Sequence, residues 1–195
     1  MKYILNTNYR AFYQLPYCCV PTTLQWIFYK RGLDIMDQEE IGVELGLRIP
    51  IKGKYLFKNP NVKFLKKEPK QGFGTQIEKN KYSIEKFFKK RKIPLSFSKL
   101  FFFNSEKKLE NFIKKNIQED NDIILRYCKV VTKNNEQKKY GHFSLITAYD
   151  DVKKLLTIGD PDPPFFRQEH ISNVILTTSK KIDGTQRGFY IVKSA

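Results

Sequence analysis

Residues 14–25 read QLPYCCVPTTLQ, and this stretch leads from a loop into the first predicted helix. Apolar residues recur at helical spacing from Val20 to Arg31. Pro21 suits a first helical turn, and Gly32 suits the end of the helix. Cys19 is therefore predicted to lie at a helix N-terminus, where unpaired backbone N–H groups and the helix dipole stabilise a thiolate. Since most cysteines at such positions are simply small buried residues, catalysis requires further groups.

The rest of the chain is predicted to form helices first and strands later. Helical periodicity and capping residues predict helices over Asp37–Leu45, Ser83–Lys92 and Ser105–Ile117. β-rich runs predict strands over Leu95–Phe103, Ile123–Val131, Gly141–Ala148, Lys154–Ile158 and Gly188–Val192. This order predicts an α+β fold in which N-terminal helices pack on a C-terminal antiparallel sheet. The length suits a single domain spanning residues 1–195, with a lysine-rich loop or lid at about residues 46–77.

A cysteine nucleophile needs a histidine that takes the thiol proton and later returns it to the leaving group. The chain contains two histidines, His142 and His170. His142 stands at the start of an apolar strand, so its ring could face the helix terminus from the end of the sheet. His170 lies among polar residues that are typical of a surface. We therefore predict that His142 is the general base.

The histidine in turn needs a group that fixes its tautomer and stabilises its charged form. Asp160 follows a predicted strand that would pair with the strand of His142 through a turn at residues 149–151. Because these two strands have similar lengths, Asp160 should return to the end of the sheet at which the strand of His142 begins. We predict that Asp160 is the orienting acid, with Asp162 as a weaker substitute.

An acyl-transfer site also needs hydrogen-bond donors for the oxyanion, commonly one backbone N–H and one side-chain amide. Gln14 lies five residues before Cys19, on the loop that enters the helix. We predict that its amide is the side-chain donor.

Three motifs carry these residues: QLPYCCVPTTLQ from Gln14, GHFSLITAYDD from Gly141, and IGDP from Ile158. Their order and content resemble the papain-like cysteine peptidases related to the bacteriocin-leader-processing, or double-glycine, peptidase family. That family cleaves peptides, typically after a Gly-Gly leader, and often sits on a transporter. The resemblance implies a papain-like fold with Cys19 as nucleophile, His142 as base, Asp160 as orienting acid and Gln14 in the oxyanion hole.

The nucleophile motif differs from the family pattern in three ways. Cys18 stands where the family usually has Asp, Val20 stands where it usually has Gly, and the interval from Gln14 to the nucleophile is one residue shorter. Pro21 follows Cys19 at the family's interval, so Cys19 is assigned as the nucleophile. Cys18 is interpreted as a neighbour or a resolving thiol.

Three functions fit these features. The first is a peptidase or amidase that forms a thioester acyl-enzyme and acts on a peptide or protein. The second is an acyltransferase that opens the same acyl-enzyme with an amine or thiol. The third is a non-enzymatic module whose net charge of +16 binds nucleic acid or anionic lipid through Lys86–Lys92 and the lysine-rich loop. Arginine, the usual bidentate reader of bases and phosphates, is scarce, which favours a solvated lysine-rich surface instead.

Three cysteines, two of them adjacent, cannot form a disulfide framework, and their spacing does not suit zinc. We predict no metal and no cofactor. The sequence shows neither a signal-peptide pattern nor an apolar run long enough to cross a bilayer, so we expect a cytoplasmic protein with reduced thiols.

Overall fold

The structure, a computed structural model, describes residues 2–4, 9–70, 72–133, 136–179, 181–182 and 184–195. Its helices are α1 (Cys19–Lys30), α2 (Gln38–Glu44), α3 (Ile84–Arg91), α4 (Glu106–Gln118) and α5 (Ile171–Ser179). Its strands are β1 (Lys2–Ile4), β2 (Arg48–Pro50), β3 (Lys63–Leu65), β4 (Leu95–Phe97), β5 (Asp122–Lys133), β6 (Glu136–Asp150), β7 (Leu155–Gly159), β8 (Phe166–His170) and β9 (Gly188–Ser194). The predicted α+β fold, with helices at the N-terminus and an antiparallel sheet towards the C-terminus, is confirmed.

The main sheet has the strand order β4-β9-β5-β6-β7-β8, with β1 paired to β6. All of its pairings are antiparallel. The β5–β6 hairpin places Tyr127 opposite His142, and the β6–β7 hairpin pairs Leu145 with Gly159. Asp160 follows β7 directly. The two hairpins therefore bring Tyr127, His142 and Asp160 to one region of the sheet.

The main core forms where α1 packs on the sheet. Leu24, Trp26, Ile27 and Phe28 are fully buried there, and the core continues into β5, β6, β7 and β9. Each such side chain contributes about 1.5–3 kcal/mol by leaving water. This burial fixes the position of α1, and with it the position of Cys19 at its first turn.

A smaller core lies under the segment from residue 46 to residue 77, which was predicted to be a loop or lid. Its buried members are Cys18, Leu47, Ile49, Phe57 and Val62. The segment contains a 3-10 helix over Ile51–Leu56 and a parallel pairing of β2 with β3. These elements are too short to produce a sequence period, which explains why the sequence indicated only a loop.

Two predicted strand boundaries were wrong. The strand predicted over Leu95–Phe103 ends at Phe97, because the Ser98 hydroxyl accepts the Ile191 N–H in place of a backbone carbonyl. The strand predicted to begin at Gly141 begins at Glu136, because its exposed polar residues pair with the end of β5. His142 therefore lies within a strand and not at its start.

The prediction also missed α5 and β8 between the IGDP motif and β9. His170 ends β8 and is partly buried, and its Nδ1 atom lies 2.7 Å from the Ser172 hydroxyl.

Within the described ranges, no helix combines the length and the apolar character that a membrane span requires.

Candidate active site

Cys19 is the first residue of α1, and the two adjacent cysteines have different environments. The Cys19 side chain is partly exposed, whereas Cys18 is fully buried in the smaller core. Burial raises the pKa of the Cys18 thiol well above its ordinary value, and the neighbouring Cys19 raises it further. The structure therefore leaves Cys19, and not Cys18, accessible to a ligand, and the interpretation of Cys18 as a neighbour or a resolving thiol stays a prediction.

His142 connects Cys19 to Asp160. Its ring is 1% exposed, its Nε2 atom lies 2.7 Å from Asp160 Oδ1, and the Cys19 side chain lies close enough to influence its pKa. Burial lowers the pKa of His142, but the hydrogen bond to Asp160 and the interaction with Cys19 outweigh this effect and raise the pKa to about 9. A pKa of about 9 favours the charged form of the ring at neutral pH, close to the Cys19 sulfur.

Asp160 is buried beneath His142 and is held by several donors. Tyr127 donates its hydroxyl to Oδ2 over 2.8 Å, and Arg167 donates Nη1 to the same oxygen over 2.6 Å. The backbone N–H of Asp162 donates to Oδ1 over 2.9 Å. Burial opposes ionisation, but hydrogen bonding to His142 and the nearby positive charges lower the pKa of Asp160 well below its ordinary value. A carboxylate held in this way fixes both the charge and the orientation of the imidazole.

Gln14 belongs to the same site, and Asp162 holds it there. The Gln14 Nε2 amide donates to Asp162 Oδ1 over 2.5 Å, and its backbone N–H donates to Pro161 O over 3.4 Å. An amide nitrogen carries two hydrogens, so one remains for a ligand. The backbone N–H of Cys19, the first residue of α1, also has no partner within its helix. The structure thus brings together Gln14, Cys19, His142 and Asp160, the four predicted site residues.

Three side chains of the candidate site have atoms that are arranged as metal ligands would be. Ligand atoms of His142, Asp160 and Asp162 all lie within 4.8 Å of one another. However, the ammonium of Lys129 lies 2.8 Å from Asp162 Oδ2 and 3.6 Å from Asp160 Oδ1. The place that a cation would take between the two carboxylates is therefore held by a lysine. This arrangement fits a hydrogen-bonded cluster of charged side chains better than a metal centre.

Sequence reasoning missed the residues that support Asp160. Tyr127 and Lys129 project from β5 two residues apart, so they share the face that meets His142. Correct pairing of β5 with β6 would have identified both. Arg167 lies on the unpredicted β8 and had no signal in the sequence. Tyr140 also lies at the site, where burial and then the charges of Asp162, Asp160 and Cys19 raise its pKa to about 12.

Comparisons with known proteins give a likeness in fold. No protein-family model matches the sequence. No curated protein matches it significantly. Among solved structures, the chain is similar to xylellain, a cysteine protease from Xylella fastidiosa, with a TM-score of 0.51 and 12% sequence identity. The match covers 100% of this chain and 86% of that chain. At this identity the likeness concerns the fold, and the resemblance to the double-glycine peptidases stays a hypothesis. The chain has the α+β fold of a papain-like cysteine protease.

Proposed function

We propose that this chain is a cysteine peptidase or amidase in which Cys19 is the nucleophile, His142 the acid and base, and Asp160 the orienting carboxylate. One observation carries the proposal: the buried His142 ring hydrogen-bonds Asp160 and lies close enough to the Cys19 side chain for the two to interact electrostatically. A cysteine that serves only as a core residue has no need of a charged histidine beside it. The fold shared with a cysteine protease adds support.

The first half of the reaction forms an acyl-enzyme. The Cys19 thiolate attacks the carbonyl carbon, a C–S bond forms, and the carbonyl electrons move to oxygen. The free amide hydrogen of Gln14 and the backbone N–H of Cys19 stabilise the resulting oxyanion. The His142 imidazolium then protonates the leaving amine as the C–N bond breaks, which leaves a thioester and a neutral imidazole.

The second half releases the acid. Neutral His142 removes a proton from water, and the hydroxide attacks the thioester carbonyl. The C–S bond breaks and its electrons return to sulfur. The products are a carboxylic acid and the original pair of thiolate and imidazolium, so protons and electrons balance over the cycle.

The alternative of a nucleic-acid or lipid module has less support. The basic residues at the end of α3 are largely paired: Lys90 with Glu44, Arg91 with Glu40 and Glu44. Of the aromatic run at residues 101–103, Phe101 and Phe103 pack against Phe112 in the core and cannot stack on bases.

The test uses a peptide library, because the substrate sequence is unknown. The chain is incubated with the library, new N-termini are identified by mass spectrometry, and an excess of ethylamine is added in a parallel sample. We expect cleavage by the unaltered chain and by the Cys18→Ala control, and none by Cys19→Ala. Cleavage that survives Cys19→Ala would refute the proposal, and products that carry ethylamine without free acid would replace the hydrolase by an acyltransferase.

A further inference from the structure

The lysine-rich segment, residues 46–77, carries a large share of the chain's charge. It contains seven lysines and one arginine against a single acid, Glu68, within a chain of net charge +16. All seven lysines are exposed: Lys52, Lys54, Lys58, Lys63, Lys66, Lys67 and Lys70. The segment is thus a strongly positive surface.

These lysines differ from the three basic residues at the end of α3, because no carboxylate among the described residues forms an ion pair with them. In the part of the chain that the structure describes, no salt bridge joins any of the seven to a carboxylate. In α3, by contrast, Lys89, Lys90 and Arg91 all pair with glutamates. Unpaired cations on one surface produce a field that attracts anionic ligands and raises their association rate.

The lysine-rich segment packs against the residue that precedes the candidate nucleophile. Its buried residues Leu47, Ile49, Phe57 and Val62 share the smaller core with Cys18, the residue before Cys19.

The segment also borders the turn that leads into α1. The Phe73 ring contacts the Tyr17 ring edge-on, with 5.7 Å between the ring centroids. Burial raises the pKa of Tyr17, and the nearby charge of Glu68 raises it further. The lysines therefore belong to a segment that contacts the turn immediately before Cys19. The carboxylates of the site do not cancel their field, because Lys129 already pairs with Asp162 and Arg167 with Asp160.

We propose that the substrate is an acidic polypeptide, which the lysine-rich segment attracts and holds beside Cys19. The inference rests on the proposed function, since it names the substrate class of that same site. A polypeptide is favoured over a nucleic acid because the surface adjoins a site built to attack a carbonyl. The lysines act by charge and not by shape, so the preference depends on the ionic strength.

The test compares two thiol-reactive peptide electrophiles of identical backbone, one extended by a run of glutamates and the other by a run of glutamines. The second-order rate of Cys19 labelling is measured by intact mass at about 25 mM and about 300 mM salt. We expect the acidic probe to label about tenfold faster at low salt and to lose this advantage at high salt. The combined change Lys66→Gln, Lys67→Gln and Lys70→Gln should remove most of the advantage.

The control removes the same charge elsewhere, through Lys107→Gln, Lys108→Gln and Lys193→Gln on α4 and β9, and should keep the preference. Equal labelling by the two probes at low salt, or equal loss in both triple variants, would overturn the inference. Equal labelling combined with binding of single-stranded DNA that only the segment variant loses would assign the surface to nucleic acid. If neither probe labels Cys19, the proposed function fails and the substrate class falls with it.

Discussion

Replacing Asp160 by Asn tests how the site sets the charge of His142. The change keeps the size of the side chain and its Oδ1 acceptor but removes the negative charge 2.7 Å from His142 Nε2. Burial then still lowers the pKa of His142, and the strongest opposing interaction is gone. We expect the pKa to fall from about 9 towards the ordinary value of 6.5.

The size of the effect follows from these two values. At pH 7.5, a group of pKa about 9 is about 97% protonated, and a group of pKa 6.5 is about 9% protonated. Asp160→Asn should therefore reduce the imidazolium population about tenfold at pH 7.5, and much less at pH 6. Hydrolysis should fall in the same proportion and partly recover at the lower pH.

The assay is a histidine NMR titration, which the sequence makes simple because the chain has only two histidines. His170→Gln assigns the signals, and Asp34→Asn at an exposed position is the control for loss of one negative charge. Circular dichroism checks that each variant is folded. A His142 pKa that stays near 9 in Asp160→Asn would refute the view that Asp160 holds the charge.

Three further predictions follow from the same contacts. Asp162→Ala removes the carboxylate that holds the Gln14 amide, so it should lower kcat about tenfold. The rate of alkylation by iodoacetamide should stay unchanged, because that reaction forms no oxyanion. Equal losses of kcat and of the alkylation rate would contradict the view that Asp162 positions Gln14. Gly159→Ala places a methyl group 2.9 Å from the Trp26 ring, so urea unfolding should show a loss of about 1–3 kcal/mol, and an unchanged midpoint would contradict this packing. Because the pKa of His142 is raised to about 9 in the folded state, the contribution of this charge to stability is complete below pH 6.5 and is lost as the pH rises through 9. Hydrolysis should fall over the same upper range, which a pH–rate profile measures, and a flat profile would contradict a charged His142.

The sequence predicted the parts of the fold in which a hydrophobic pattern extends over many residues or in which characteristic residues mark the ends of an element. Helix α1 has recurring apolar residues and a Pro–Gly pair at its ends, and Asp37 and Ser83 cap α2 and α3 as the capping pattern predicts. The β6–β7 hairpin could be inferred because its two apolar runs have similar lengths. This was sufficient to bring Asp160 to His142.

The rest depended on tertiary contacts that leave no local pattern. The start of β6 is polar on both faces, so it lacks the alternation of apolar and polar residues from which a strand is usually predicted. Its pairing with β5 forms the strand without that burial. Arg167 reaches Asp160 from β8, where polar residues alternate without an apolar face. The sequence favoured Cys19 over Cys18 only through the position of Pro21, whereas the difference in their exposure comes from packing, which buries Cys18.

The most direct test of the account is the site of covalent labelling in the unaltered chain. The protein is treated with a slight excess of a peptide electrophile, digested, and the modified cysteine is identified by mass spectrometry. We predict modification of Cys19 alone, at a rate that His142→Ala lowers strongly. Modification of Cys18 or Cys128, or labelling of Cys19 that does not depend on His142, would contradict the account.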